Sequence, residues 1–123
     1  MQVYDVCLMS EWHYDRDPLL QLEGWLQRLG HSTYLIWPEN LGEALERLRE
    51  GALSFRYILD RASNTSPEFS DLYGSLSSQG VIAFEDPDTL LRASDKALMH
   101  RLFEREGIPV PNTLILEPHS ERR

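Results

Sequence analysis

Apolar residues along the chain come in two rhythms that take turns. A short β-prone run, Val3 to Met9, precedes a stretch in which Leu19, Leu22, Leu26 and Leu29 recur every three or four positions. The first pattern predicts a buried strand and the second an amphipathic helix, with Trp25 expected on the same side as the leucines. Asp17-Pro18 supplies a helix start, the Asp as cap and the Pro at the first position, and Gly30 a stop. Ser32 to Trp37 predicts a second strand, closed by Pro38. Asn40 to Glu50 predicts a second helix, apolar at Leu41, Ala44, Leu45 and Leu48 and ended by Gly51. Phe55 to Leu59 is a third strand. Ser66-Pro67 opens a third helix striped with Phe69, Leu72, Tyr73 and Leu76, and Val81 to Phe84 is a fourth strand. A short helix from Asp88 to Ala93 follows. Ser94 is read as the cap of a last helix, lined by Met99, Leu102 and Phe103 and ending at Gly107-Ile108. Thr113 to Leu116 completes the pattern as a short final strand before a polar tail.

Strands that alternate with helices of about ten residues predict βαβ units with right-handed crossovers. The expected fold is therefore α/β: three layers, with a mostly parallel sheet of four to five strands and helices on both faces. The strand order expected is 3-2-1-4. Residues 1–111 are read as one Rossmann-like domain and 112–123 as a linker or strand leading onward.

Composition narrows the function. The 123 residues carry a net charge of −8, which argues against a nucleic-acid partner because phosphate binding needs a concentrated basic face. Apolar runs are far shorter than the ~20 residues of a membrane span, and the first residues lack a basic and apolar leader pattern, so a cytoplasmic location without membrane contact is expected. The single cysteine, Cys7, lies in an apolar run and is expected to be an inert core thiol.

In an open α/β sheet, ligands gather beyond the carboxyl ends of the strands. Ser10, Glu11, Asp60 and Arg61 stand at those ends and are the substrate-side candidates. Neither a Gly-x-Gly-x-x-Gly fingerprint nor a phosphate-binding P-loop is written in the sequence. Glu11, His13, Asp15 and Asp17 alternate without zinc-site spacing, so a solvated acidic loop is expected and no metal or catalytic residue is assigned. Trp12 and Tyr14 are expected to fold back on the surface, with stacking on a ligand as the rarer alternative. Asp60-Arg61 reads as a structural ion pair or as a ligand-facing one. A phosphoacceptor role for Asp60 is disfavoured because Glu117-Pro118 stands where such a site needs a lysine. His100 is expected to be partly packed on its helix.

One feature is unusual: Lys96 is the only lysine beside eleven arginines. A lysine offers a compact point charge suited to phosphate oxygens. The parts around it are Val81-Ile82-Ala83-Phe84, the short helix Asp88 to Ala93, Asp95-Lys96, and Gly107-Ile108-Pro109-Val110-Pro111-Asn112-Thr113. In order and spacing they resemble the segment that leads from the N-terminal, pre-ATP-grasp domain into the catalytic lobes of an ATP-grasp ligase. Asp60-Arg61-Ala62-Ser63 with Ser66-Pro67-Glu68-Phe69 is similar, less specifically, to the glutathione synthetase and RimK-type branch. The resemblance implies a whole protein that activates a small-molecule carboxylate with ATP and Mg2+ for attack by an amine or thiol. It further implies that Lys96 reaches nucleotide phosphates, and that a C-terminal ATP-grasp domain is the missing partner. The chain alone is then expected to bind no nucleotide or metal and to be inactive, with a homodimer through an unpaired edge conceivable. The alternative is a stand-alone α/β binding or oligomerisation module.

Overall fold

A computed structural model of the chain describes residues 1–117. The tail 118–123, including the Pro118 of the phosphoacceptor comparison, lies outside the described residues. The chain divides into two compact units, 1–87 and 88–123.

The first unit holds four strands: β1 (Gln2–Ser10), β2 (Thr33–Ile36), β3 (Leu53–Arg61) and β4 (Ile82–Ala83). Its helices are α1 (Arg16–Arg28), α2 (Leu41–Arg49) and α3 (Pro67–Ser78), with a 3₁₀ turn, His13–Asp15, before α1. The sheet is wholly parallel, as the alternation predicts.

The strand order is β2-β1-β3-β4, not 3-2-1-4. Burial explains the correction. β1 and β3 are nine residues each; β1 is buried from Val6 to Ser10, and β3 buries Leu53, Phe55, Ile58 and Asp60, which suits central strands. β2 has four residues, of which only Ile36 is buried, and β4 has two, so both suit an edge. Handedness then fixes the layers. The chain steps from β1 to β2 in one direction and returns past β1 to reach β3, so right-handed crossovers require α1 on one face and α2 with α3 on the other. The core is divided in that way. Leu41, Ala44 and Leu48 of α2 and Phe69, Leu72 and Leu76 of α3 pack with Cys7, Met9, Ile36 and Ile58. Leu19, Leu22 and Leu26 of α1 pack with Val6, Leu8, Leu35 and Leu59.

Local signals hold with small shifts. Ser66 caps α3 by accepting from the Phe69 amide at 3.5 Å, and Pro67 stands at its first position. Asn40 acts differently from a helix cap. Its Oδ1 accepts from the Trp37 amide at 2.6 Å while its Nδ2 donates to the Leu35 carbonyl at 2.8 Å, tying the end of β2 to the start of α2. α1 begins one residue before Asp17, and its apolar stripe is narrower than predicted. Trp25 is 61% exposed beneath the guanidinium of Arg28, and Leu29 is exposed too.

The second unit carries α4 (Pro87–Ser94), which starts at its boundary, and α5 (Lys96–Arg105). The cap of α5 is Asp95, which accepts from the Leu98 amide at 3.0 Å, rather than Ser94, whose hydroxyl donates back to Leu90 within α4. The far end closes as expected: Gly107 adopts φ +74°, and the Ile108 and Gly107 amides reach back to Phe103 and Glu104. His100 is largely covered and meets Glu104 at 3.0 Å one turn on. No strand forms over Thr113 to Leu116, so the described sheet has four strands. Pro109 and Pro111 remove amide donors just upstream, and Leu114 and Leu116 are exposed.

Candidate functional site

Because β1 and β3 are neighbours whose following chains leave to opposite faces, the point between their carboxyl ends is where the sheet's topology reverses. That is the place where open α/β sheets accept ligands. Ser10, the last residue of β1, is paired in register with Arg61, the last of β3.

Ser10 is fully buried. Its hydroxyl donates to Asp15 Oδ2 at 2.9 Å and accepts from the Trp12 amide at 3.3 Å. Arg61 approaches the same carboxylate side-on, Nε to Oδ2 at 3.0 Å and the terminal nitrogen to Oδ1 at 3.3 Å. Such a two-point pair is directional as well as charged. The Arg61 hydrogen bonds, helped by the Ser10 hydroxyl, hold the Asp15 carboxyl below the usual carboxylate range although burial works the other way. Asp15 is therefore a buried anchor and not part of a solvated acidic loop. The Asp15 amide also closes the turn by donating to the Trp12 carbonyl at 3.0 Å.

Asp60 and Arg61 are not paired with each other, contrary to the structural ion pair considered for them. Asp60 is buried, and its Oδ1 accepts from the Ala62 and Ser63 amides, both at 2.9 Å, while Oδ2 takes the Ser63 hydroxyl. It shapes the loop that leaves β3, with both carboxylate oxygens turned to that loop. Glu11 is exposed, and its Oε2 accepts from the Thr65 hydroxyl at 2.8 Å, which ties the loop after β1 to the loop after β3.

Trp12 and Tyr14 do not fold back on the domain. They are 58% and 66% exposed, and their rings meet edge to face at 5.0 Å, with His13 4.0 Å from Tyr14. Three ring-bearing residues thus stand on one short turn fastened from below by Asp15.

Elsewhere in this unit the α1 face of the sheet bears an apolar cleft of about 310 Å³, lined by Val6, Leu8, Leu22, Leu26, Leu59 and Phe84. Tyr57 and Phe84 stack beside it at 5.7 Å. Cys7 is buried, and burial, with the Asp60 carboxylate adding to it, pushes its thiol far above the ordinary range. That leaves it inert, as expected.

Four candidates from the sequence therefore occupy the strand tips, and the structure links Ser10 to Arg61 through Asp15 and Glu11 to the opposite loop through Thr65. Lys96 lies in the second unit, where it is exposed at the first position of α5. Asp15 is the site residue whose role the sequence does not reveal: its pattern suggests a solvated loop, and nothing in it links positions 15 and 61. Among the described residues no group of three or more His, Cys, Asp or Glu side chains is placed to hold a metal ion. No described helix is long and apolar enough to cross a membrane. No family model, no curated protein and no solved structure matches this chain.

Proposed function

We propose that this chain is the substrate-side domain of an ATP-dependent ligase that joins a carboxylate to an amine or thiol. In that reading it works with an ATP-grasp module, in the same polypeptide or beside it. The observation that carries the reading is the start of α5: a side-chain-capped helix whose first residue is the chain's single lysine. The positive end of the helix dipole favours an anion there, as the capping Asp95 carboxylate illustrates, and an ammonium at the first position adds to that attraction. The α5 helix then ends in the left-handed glycine and the Ile-Pro-Val-Pro phrase on which the resemblance rests. The parallel sheet with polar side chains at its strand tips supports a substrate-binding role for the first unit.

In this proposal Lys96 contacts nucleotide phosphates, and the open side of the Arg61 guanidinium borders the carboxylate substrate, with Ser10 buried beneath as an anchor of Asp15. Phosphoryl transfer depends chiefly on positioning and on neutralising charge, which fixed cations supply. Among the described residues no carboxylate set is placed to hold magnesium, so no magnesium role is assigned to them.

The test begins with the coding sequence around this chain, which must supply an ATP-grasp module. In the assembled protein, Lys96→Ala should weaken ATP binding at least about tenfold, the scale of one charge-assisted contact. A genome without such a module, or unchanged ATP affinity in the variant, contradicts the proposal. The second reading, a stand-alone binding module, is favoured by one observation. The network of Ser10, Asp15 and Arg61 is complete within residues 1–87 and needs no nucleotide to hold it.

A further inference from the structure

We infer that the turn Trp12-His13-Tyr14 is a recognition element for an alkylammonium group on a small molecule. The inference rests on the first unit alone and does not depend on the ligase reading. An aromatic ring presents a negative face, and cations settle within about 6 Å of its centre. Here the Trp12 and Tyr14 rings are more than half exposed, lie edge to face at 5.0 Å, and stand at the reversal point of the sheet. Large exposed rings on a turn cost solvation, and this turn is not free to bury them. Its base is held by the Ser10 hydroxyl, the Arg61 guanidinium and its own closing hydrogen bond.

The charges around the turn select a cation over an anion or a neutral ring. The two nearby arginines are already engaged. Arg61 is bound side-on to Asp15, and Arg16 is paired with Glu39 while its guanidinium lies 5.2 Å from the centre of the Trp37 ring. Glu11, next to Trp12, has a neutral hydroxyl as its partner, and no ion pair among the described residues compensates it. Asp17 adds a second exposed carboxylate within the same short stretch. An ammonium group over the rings would meet unneutralised negative charge at Glu11. An anion would meet both the negative ring faces and that carboxylate.

The chain can be tested as it stands, with tetramethylammonium as probe and tert-butanol as its uncharged counterpart of similar shape. The indole N–H resonance of Trp12, assigned through Trp12→Phe, reports binding by nuclear magnetic resonance. Tetramethylammonium should shift that resonance and those of the Tyr14 ring in a saturable way, with the Trp25 and Trp37 indoles unmoved. Glu11→Gln should weaken binding several-fold, and Trp12→Ala should abolish it while the rest of the spectrum keeps its folded dispersion. Equal shifts with tert-butanol, a non-saturating response, or full affinity in Glu11→Gln would overturn the inference. A shift produced by uncharged adenosine and not by tetramethylammonium would overturn it as well, since it would mark the rings as a stacking platform.

Discussion

Asp15 lies between a buried hydroxyl and a half-exposed guanidinium, and its negative charge is what both of them recognise. Its pKa is lowered on folding, so it contributes stability above the ordinary carboxylate value of about 4. That contribution is lost as pH falls through this value towards the lower one of the folded protein. The neutral variant Asp15→Asn should therefore be less stable than the parent near neutrality, and urea midpoints should fall less for it between pH 6 and pH 3. Asp5 and Glu39 are lowered as well, Asp5 first by the Ser32 amide and Glu39 first by Arg16, so part of the slope survives the substitution. An unaltered slope would show that Asp15 carries no folded-state shift. The same residue marks how far the sequence could be read at this scale. Ser10, Glu11, Asp60 and Arg61 follow from a rule about strand ends, which needs only the position of each strand. Asp15 follows from a contact across 46 residues, which needs the strand order.

The helices were legible where their signals were chemical and less so where they were geometric. Ser66-Pro67 and Gly107 act as their residue types require, through a capping acceptor, a fixed φ and a left-handed backbone. Ser94 and Asp95 are both competent caps, and the sequence does not decide between them because either hydroxyl or carboxylate can accept from an amide three residues on. The structure chooses Asp95. Asp95→Ala should accordingly cost about 1 kcal/mol at α5 and speed exchange of the Leu98 amide, while Ser94→Ala should leave that amide unchanged. The buried stripe on α1 is narrower than its spacing predicts, for the same kind of reason. Spacing places Trp25 near the leucines, but only a narrow arc of α1 meets the sheet, and Leu19 is its one buried position. Calorimetry should find Leu19→Ala destabilising by about 2–4 kcal/mol. Trp25→Ala should stay within about 0.5 kcal/mol, as exposed positions do. A large loss at Trp25 would mean that its ring is covered.

For the molecule as a whole, the alternation of elements conveyed the class of the fold and the parallel sheet, because crossover rules leave few alternatives. It did not convey the order of the strands. Strand lengths are the signal that bears on order, and they were blurred at the ends: β3 runs from Leu53 to Arg61, two residues further at each end than its apolar run suggests. That extension carries Arg61 into register with Ser10 and brings the two loops together. Had β2 lain between β1 and β3, Asp15 and Arg61 could not touch, and the aromatic turn would have no fastening. A double-mutant cycle on unfolding free energy, combining Asp15→Ala and Arg61→Ala, measures that contact directly. The account predicts a favourable coupling of about 1 kcal/mol, allowing for solvent on the open side of the guanidinium. Additive effects of the two substitutions would contradict both the strand order and the site built upon it.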